Sequence, residues 1–159
     1  MATPGSQGTP AAAPSWDRAP VQHAAVAVGA VFLVLGVLGF VPGVTARSDA
    51  LTFAGHHSGA ALFGIFAVSG LHNALHIVFG VLGPALSSTF NGARAYLLGG
   101  GAGYAALWVY GVVVHHDSSA NVLPVNTADN WLHLGLAVIM VGLGSSLGRT
   151  SRRGAPRRA

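Results

Sequence analysis

The stretch VQHAAVAVGAVFLVLGVLGFV, residues 21–41, carries no charged side chain, and from Ala24 onward no polar one. A helix that crosses the hydrocarbon core of a bilayer needs about 20 mostly apolar residues, and this run has that length. Three further runs read the same way. The second, over residues 59–86, is uncharged and is interrupted by Ser69, His72, Asn73 and His76. The third covers residues 95–114 and the fourth residues 128–147, with Asp129 and His133 only in its first turns. Runs this long without alternation are not barrel strands, and lipid admits only helices and closed barrels. The fold expected is all-α: a polytopic membrane protein built as a bundle of four transmembrane helices over residues 21–147.

Composition agrees. Of 159 residues 52% are apolar and 8% charged, with eight arginines, four aspartates and neither lysine nor glutamate. Soluble domains carry about 25% charged residues, so an ordinary soluble domain and a disordered charged chain are both excluded. Cysteine is absent, which removes disulfides and thiolate chemistry. Residues 1–20 form a breaker-rich segment expected to be disordered, and residues 148–159 a basic tail. Arg18, Arg94, Arg149, Arg152, Arg153, Arg157 and Arg158 fall on one side of the four runs, and only Arg47 on the other. The positive-inside rule then puts both termini in the cytoplasm of a multi-pass protein of the cell membrane. The tail reads as a topology signal, so the partner expected is the lipid bilayer and not nucleic acid. Gly43–Ala46 looks like a signal-peptidase site, but the preceding apolar run exceeds the usual 7 to 15 residues, so residues 21–41 are read as a retained span. Trp108, Tyr110, Trp131 and Tyr96 are expected in interfacial belts. Gly99 with Gly103, and Ala60 with Gly64, have the four-residue spacing of close helix packing, within the bundle or between copies in a homo-oligomer.

A short pattern recurs. His72-Asn73-Ala74-Leu75-His76-Ile77 and Asp129-Asn130-Trp131-Leu132-His133-Leu134 share the form polar, Asn, any, Leu, His, aliphatic. Ser87-Ser88 and Ser145-Ser146 follow at nearly the same offset, and a doublet, His56-His57 or His115-His116, precedes each copy. The pattern suggests two tandem copies of a helix pair in one orientation. Bringing both motifs to one depth calls for a long second helix from about Ser58 to Leu86. The Asn-x-Leu-His of the second run, with the stretch Leu123 to His133 leading into the fourth, resembles the bacterial membrane proteins of the domain-of-unknown-function family 4383, from about Gln22 to Leu147. That resemblance implies a four-helix membrane fold and no particular activity, with motif positions at Asn73, His76, Asn126, Asp129, Asn130 and His133.

Ionisable groups in a membrane are costly and ask for a partner. Three readings follow for His72, Asn73, His76, Asn126, Asp129, Asn130 and His133. In the first they fix helix packing: Asn126 caps the fourth helix, Asp129 returns a bond to the cap, and the rest bond between helices. In the second, His72, His76, Asp129 and His133 hold a transition metal or a haem, with His56, His57, His115 and His116 adding ligands from the outer side. In the third the same four line a small proton or solute conduit. The first is preferred. No nucleophile elbow or phosphate-binding loop is present, so no enzyme activity is expected, and no cofactor is required.

Overall fold

The computed structural model describes residues 18–148. The disordered lead expected before them and the basic tail after them lie outside the described residues. Among these the chain is mostly helical, with four α-helices: α1 (Pro20–Leu38), α2 (Gly70–Leu86), α3 (Phe90–Val113) and α4 (Thr127–Ser146). Two of them, α1 and α3, are long and apolar enough to cross a membrane; α2 is apolar but has 17 residues.

Each helix starts where its local chemistry allows. Pro20 opens α1, where its missing N–H costs nothing. Ser69, Thr89 and Asn126 are the N-caps of α2, α3 and α4, each accepting from the backbone N–H three residues on. The helices run alternately up and down. Gln22 Nε2 at the start of α1 donates to the Ser87 carbonyl at the end of α2, 2.8 Å away. Arg94 at the start of α3 lies against Gly148, beyond the end of α4. Contact is most extensive within the pairs α1–α2 and α3–α4 and sparse between α2 and α3. The buried centre holds Phe32, Leu97, Met140 and Val21.

The expected helix over 59–86 is corrected: it starts only at Gly70. Ahead of it the chain forms strands β2 (Ala61–Leu62) and β3 (Phe66–Ala67), which with β1 (Thr45–Ala46) make a small antiparallel sheet in the order β1-β2-β3. All-α is thus modified by a short β cap. The cause is local. Ser69 ends the non-helical stretch by capping α2, and the Phe63-Gly64 turn, with both φ positive, folds β2 onto β3. Gly64 therefore sits in a turn and does not pack with Ala60 on a helix. The cap also supplies what the start of α2 lacks, since the Thr52 and Phe53 carbonyls accept from Gly70 N and Leu71 N. A short α2 brings its motif level with that of α4 without the long, protruding helix that the repeat called for. Tyr96 is corrected too: it is buried, stacked on Phe79 at 4.7 Å, with its hydroxyl donating to the Phe79 carbonyl, and belongs to no interfacial belt.

Candidate functional site

Near the capped end of the bundle five rings form a closed circuit. His72 stacks on His76 at 4.7 Å, His76 meets Phe32 at 5.5 Å, and Phe32 stacks on Tyr104 at 5.2 Å. Tyr104 meets His133 at 5.5 Å, and His133 returns to His72 at 6.2 Å. The i, i+4 spacing puts His72 and His76 on one face of α2, as the sequence predicts. Phe32 and Tyr104 were not legible as partners, because each lies in an otherwise featureless apolar run.

The donors and acceptors in this circuit can be assigned. His76 Nδ1 lies 3.1 Å from the His72 carbonyl, which only accepts, so Nδ1 carries the hydrogen. Nε2 is then left to accept from the Tyr104 hydroxyl at 3.4 Å. His72 has the Pro124 carbonyl as its backbone partner. The Nδ1 atoms of His72 and His133 are buried and have no hydrogen-bond partner.

Asn126, Asp129 and Asn130 bond to backbone groups of neighbouring elements. Asp129 Oδ2 accepts from Asn126 N at 2.8 Å and from Ala67 N at 3.0 Å, while Asn126 Oδ1 accepts from Asp129 N at 3.0 Å. Asn126 Nδ2 also donates to the Ile65 carbonyl at 2.7 Å. The capping box expected at α4 is present, and it doubles as a clasp that holds β3 and its turn onto the helix. Asn130 Nδ2 donates to the Gly111 carbonyl at 2.9 Å. That carbonyl lies in the last turn of α3, where no helical N–H remains to meet it. Asn73 is buried, with its side chain on Gly39 at the end of α1. Asn130→Ala should cost about 1 kcal/mol, the usual net worth of one hydrogen bond. A melt followed by circular dichroism in detergent should fall by only a few degrees.

Asp129 is thus turned to the backbone of the cap, while His72, His76 and His133 are brought together without it. His56 and His57 stack on each other at 3.9 Å. His115 and His116 line a shallow depression with Asn130 and Gly111. Among the described residues no group of three or more His or Asp side chains is arranged to hold a metal ion.

The two helix pairs repeat their contacts at constant offsets, 72 residues from α1 to α3 and 57 from α2 to α4. Gly29 on α1 faces the Gly80 carbonyl and Pro84 of α2, as Gly101 on α3 faces the Ala137 carbonyl and Val141 of α4. Gly39 meets Asn73 as Gly111 meets Asn130, and Phe32 meets His76 as Tyr104 meets His133. The N-caps Ser69 and Asn126 correspond as well. The copies differ where His72 of the first stands in place of Asp129 of the second.

Two cavities flank the histidines. The larger, about 340 Å³, lies between α2 and α3 and is lined by His72, His76, Tyr104 and His133 together with Gly99 and Gly103. The smaller, about 190 Å³, lies under the β cap between α1 and α4 and shares His72, His76 and His133 with the first. The expected packing role of Gly99 and Gly103 is corrected here. A Cβ at either would meet nothing within 4 Å. They leave the α2–α3 crevice open; the glycines that pack helices include Gly29, Gly36, Gly80, Gly83 and Gly101.

A family model described as a domain of unknown function, DUF4383, matches residues 22–146. No curated protein and no solved structure matches the chain.

Proposed function

The chain belongs to the DUF4383 family, and we propose that it is a four-span integral membrane protein in which two tandem copies of a helix pair are locked together by an intramembrane Asn/Asp/His cluster. Both chain ends lie in the cytoplasm in this reading, and the β cap faces outward. One observation carries it: large apolar side chains point outward from every helix while polar side chains are buried inside beside the apolar core. Val34 of α1, Val78 of α2, Val112 of α3 and Val138 of α4 are 55%, 56%, 62% and 64% exposed. Asn73, Asp129 and His133 are buried. A water-soluble monomer does not surround itself with such a surface, whereas a bilayer rewards it.

α4 fits as a span because its polar residues lie in its first two turns and at its very end, Ser145 and Ser146, with none between. Asp129 and Asn130 spend their hydrogen bonds on the cap and on α3, not on water. α2, at 17 residues, is about 25 Å long and is completed on the outer side by the cap. Arg18 and Arg94, before α1 and between α2 and α3, support the orientation, with Arg47 alone opposite. The contacts repeated helix for helix support the tandem copies. The bonds of Asp129 and Asn130 favour packing over ligation, because both side chains are bonded to backbone groups of neighbouring elements.

Reporter fusions test the topology. Alkaline phosphatase is expected to be active when fused after Asp49 or Asp117 and inactive after Ser88 or Gly148, with green fluorescent protein giving the opposite pattern. Phosphatase activity after Ser88 would overturn the four-span reading.

A further inference from the structure

We propose that the β2–β3 hairpin is a lipid anchor: its turn, Phe63-Gly64-Ile65, is embedded in the outer leaflet at the boundary between acyl chains and headgroups. The proposal rests on the membrane reading, which gives the hairpin a bilayer to enter. The turn has the wrong composition for water. Tight hairpin turns are normally built from Gly, Asn and Asp. Here Phe63 takes the first positive-φ position, at φ 53°, where glycine or asparagine is favoured and a bulky side chain is rare. Phe63 and Ile65 are nonetheless 51% and 56% exposed. No charged residue occurs from Ala50 to Ala93.

The sheet lies beside the helix ends and does not stand above them. Thr45 Oγ1 of β1 donates to the Leu38 carbonyl at 3.0 Å, and the buried cluster of Ala60, Leu62 and Val68 packs against Leu35 and Leu38 in the last turn of α1. The Ile65 carbonyl is held at 2.7 Å by Asn126, the N-cap of α4. At 19 and 20 residues α1 and α4 are about 28 and 30 Å long, so their outer ends coincide with the edge of a hydrocarbon core about 30 Å thick. The sheet is also polarised end to end. Thr45 pairs with Leu62 and Ala46 with Ala61, so the exposed Arg47 and Asp49 follow at the end opposite the Phe63 turn. The backbone of the turn suits a site without water. The N–H groups of Phe63, Gly64 and Ile65 donate to the Val44, Ala61 and Leu62 carbonyls. Along the free edge of β3, Asp129 accepts from Ala67 N and Asn126 donates to Ile65. Lipid demands such satisfaction, and an aqueous turn does not need it. The corresponding loop of the second copy is of the other kind, with His115, His116 and Asp117 exposed.

Nitroxide labels on Phe63→Cys, Ile65→Cys, Asp117→Cys and Val138→Cys test the proposal. Each full chain is reconstituted in phosphatidylcholine liposomes with a nickel chelate on both faces of the membrane. Oxygen concentrates in lipid, whereas the hydrated chelate is excluded from it. The ratio of oxygen to nickel collision rates should be several-fold higher at Phe63 and Ile65 than at Asp117, and nearer to that at Val138. The unsubstituted chain supplies a second readout that no substitution can disturb. A phosphatidylcholine with an acyl-chain diazirine should leave photoadducts on Phe63 or Ile65 and none on residues 115–119. Nickel access at Phe63 and Ile65 equal to that at Asp117, with Val138 protected, would put the turn in water and overturn the proposal alone. Equal access at Val138 as well would overturn the membrane reading and the proposal with it. Protection of Phe63 and Ile65 from both oxygen and nickel, without photoadducts, would assign the turn to a second copy of the chain and overturn its contact with lipid.

Discussion

Gly29→Val is expected to destabilise the fold strongly. A Cβ at Gly29 would lie 2.7 Å from Pro84 Cδ, 2.8 Å from the Gly80 carbonyl oxygen and 2.9 Å from Gly83 Cα. Two of these are backbone atoms of α2, which cannot swing aside as a side chain would. Pro84 also removes the N–H that would otherwise bond the Gly80 carbonyl, so the bare carbonyl and the proline ring together form the surface on which Gly29 rests. Separating α1 from α2 to admit a valine would loosen the most extensive interface of the first copy. The cost should reach about 3 kcal/mol or more, the upper range for overpacking. Against the modest stability of a chain this size, that corresponds to a melting temperature lower by about 10 °C. Gly103→Val is the control: it introduces the same side chain on a span where a Cβ meets nothing, and its melting temperature should stay at the unsubstituted value. Equal melting of the two variants would contradict the packing described for α1 and α2.

Asp129→Ala should come second in size. One carboxylate oxygen serves the Asn126 and Ala67 N–H groups, so its removal strands two backbone donors and releases the cap from α4. Loss of a helix cap together with an unsatisfied N–H amounts to about 2–4 kcal/mol. Asp129→Asn keeps an acceptor oxygen and should recover much of the loss. A melt by circular dichroism reads the stability, and hydrogen exchange locates it. The Ala67 amide should exchange faster in Asp129→Ala than in the unsubstituted chain, while amides in the middle of α3 change only as far as global stability falls. An unchanged Ala67 amide would mean that the clasp does not hold the cap.

The helices were legible because each is a long apolar run without alternation, and α1, α3 and α4 lie within a few residues of their expected positions. α2 was not, because residues 59–69 are as apolar as a span. What stops the helix there is one serine three residues before His72, and the corresponding Asn126 before Asp129 was recognised as a cap while Ser69 was not. The glycines misled for a related reason. Four-residue spacing marks Gly99 and Gly103, but only the position of the neighbouring helix decides whether a small residue packs or leaves space. The motif histidines were singled out, and so were Asn126, Asp129 and Asn130, whose side chains bond backbone groups of the cap and of α3. Phe32 and Tyr104, which complete the circuit of rings, were legible only through the repeat once α1 was aligned with α3. Asp129 was grouped with the histidines because helical spacing puts it on their face; the cap, invisible in the apolar run, draws its carboxylate away.

The central claim is that the exposed apolar surface faces lipid. The chain has no cysteine, so single cysteines report cleanly. Val138, midway along α4, is 64% exposed, more open than many loop residues. In intact membranes Val138→Cys should resist a membrane-impermeant maleimide and react with a lipid-soluble one, whereas Ser118→Cys in the outer loop should react with both. Rapid labelling of Val138→Cys by the impermeant reagent in native membranes would place that surface in water and contradict the account.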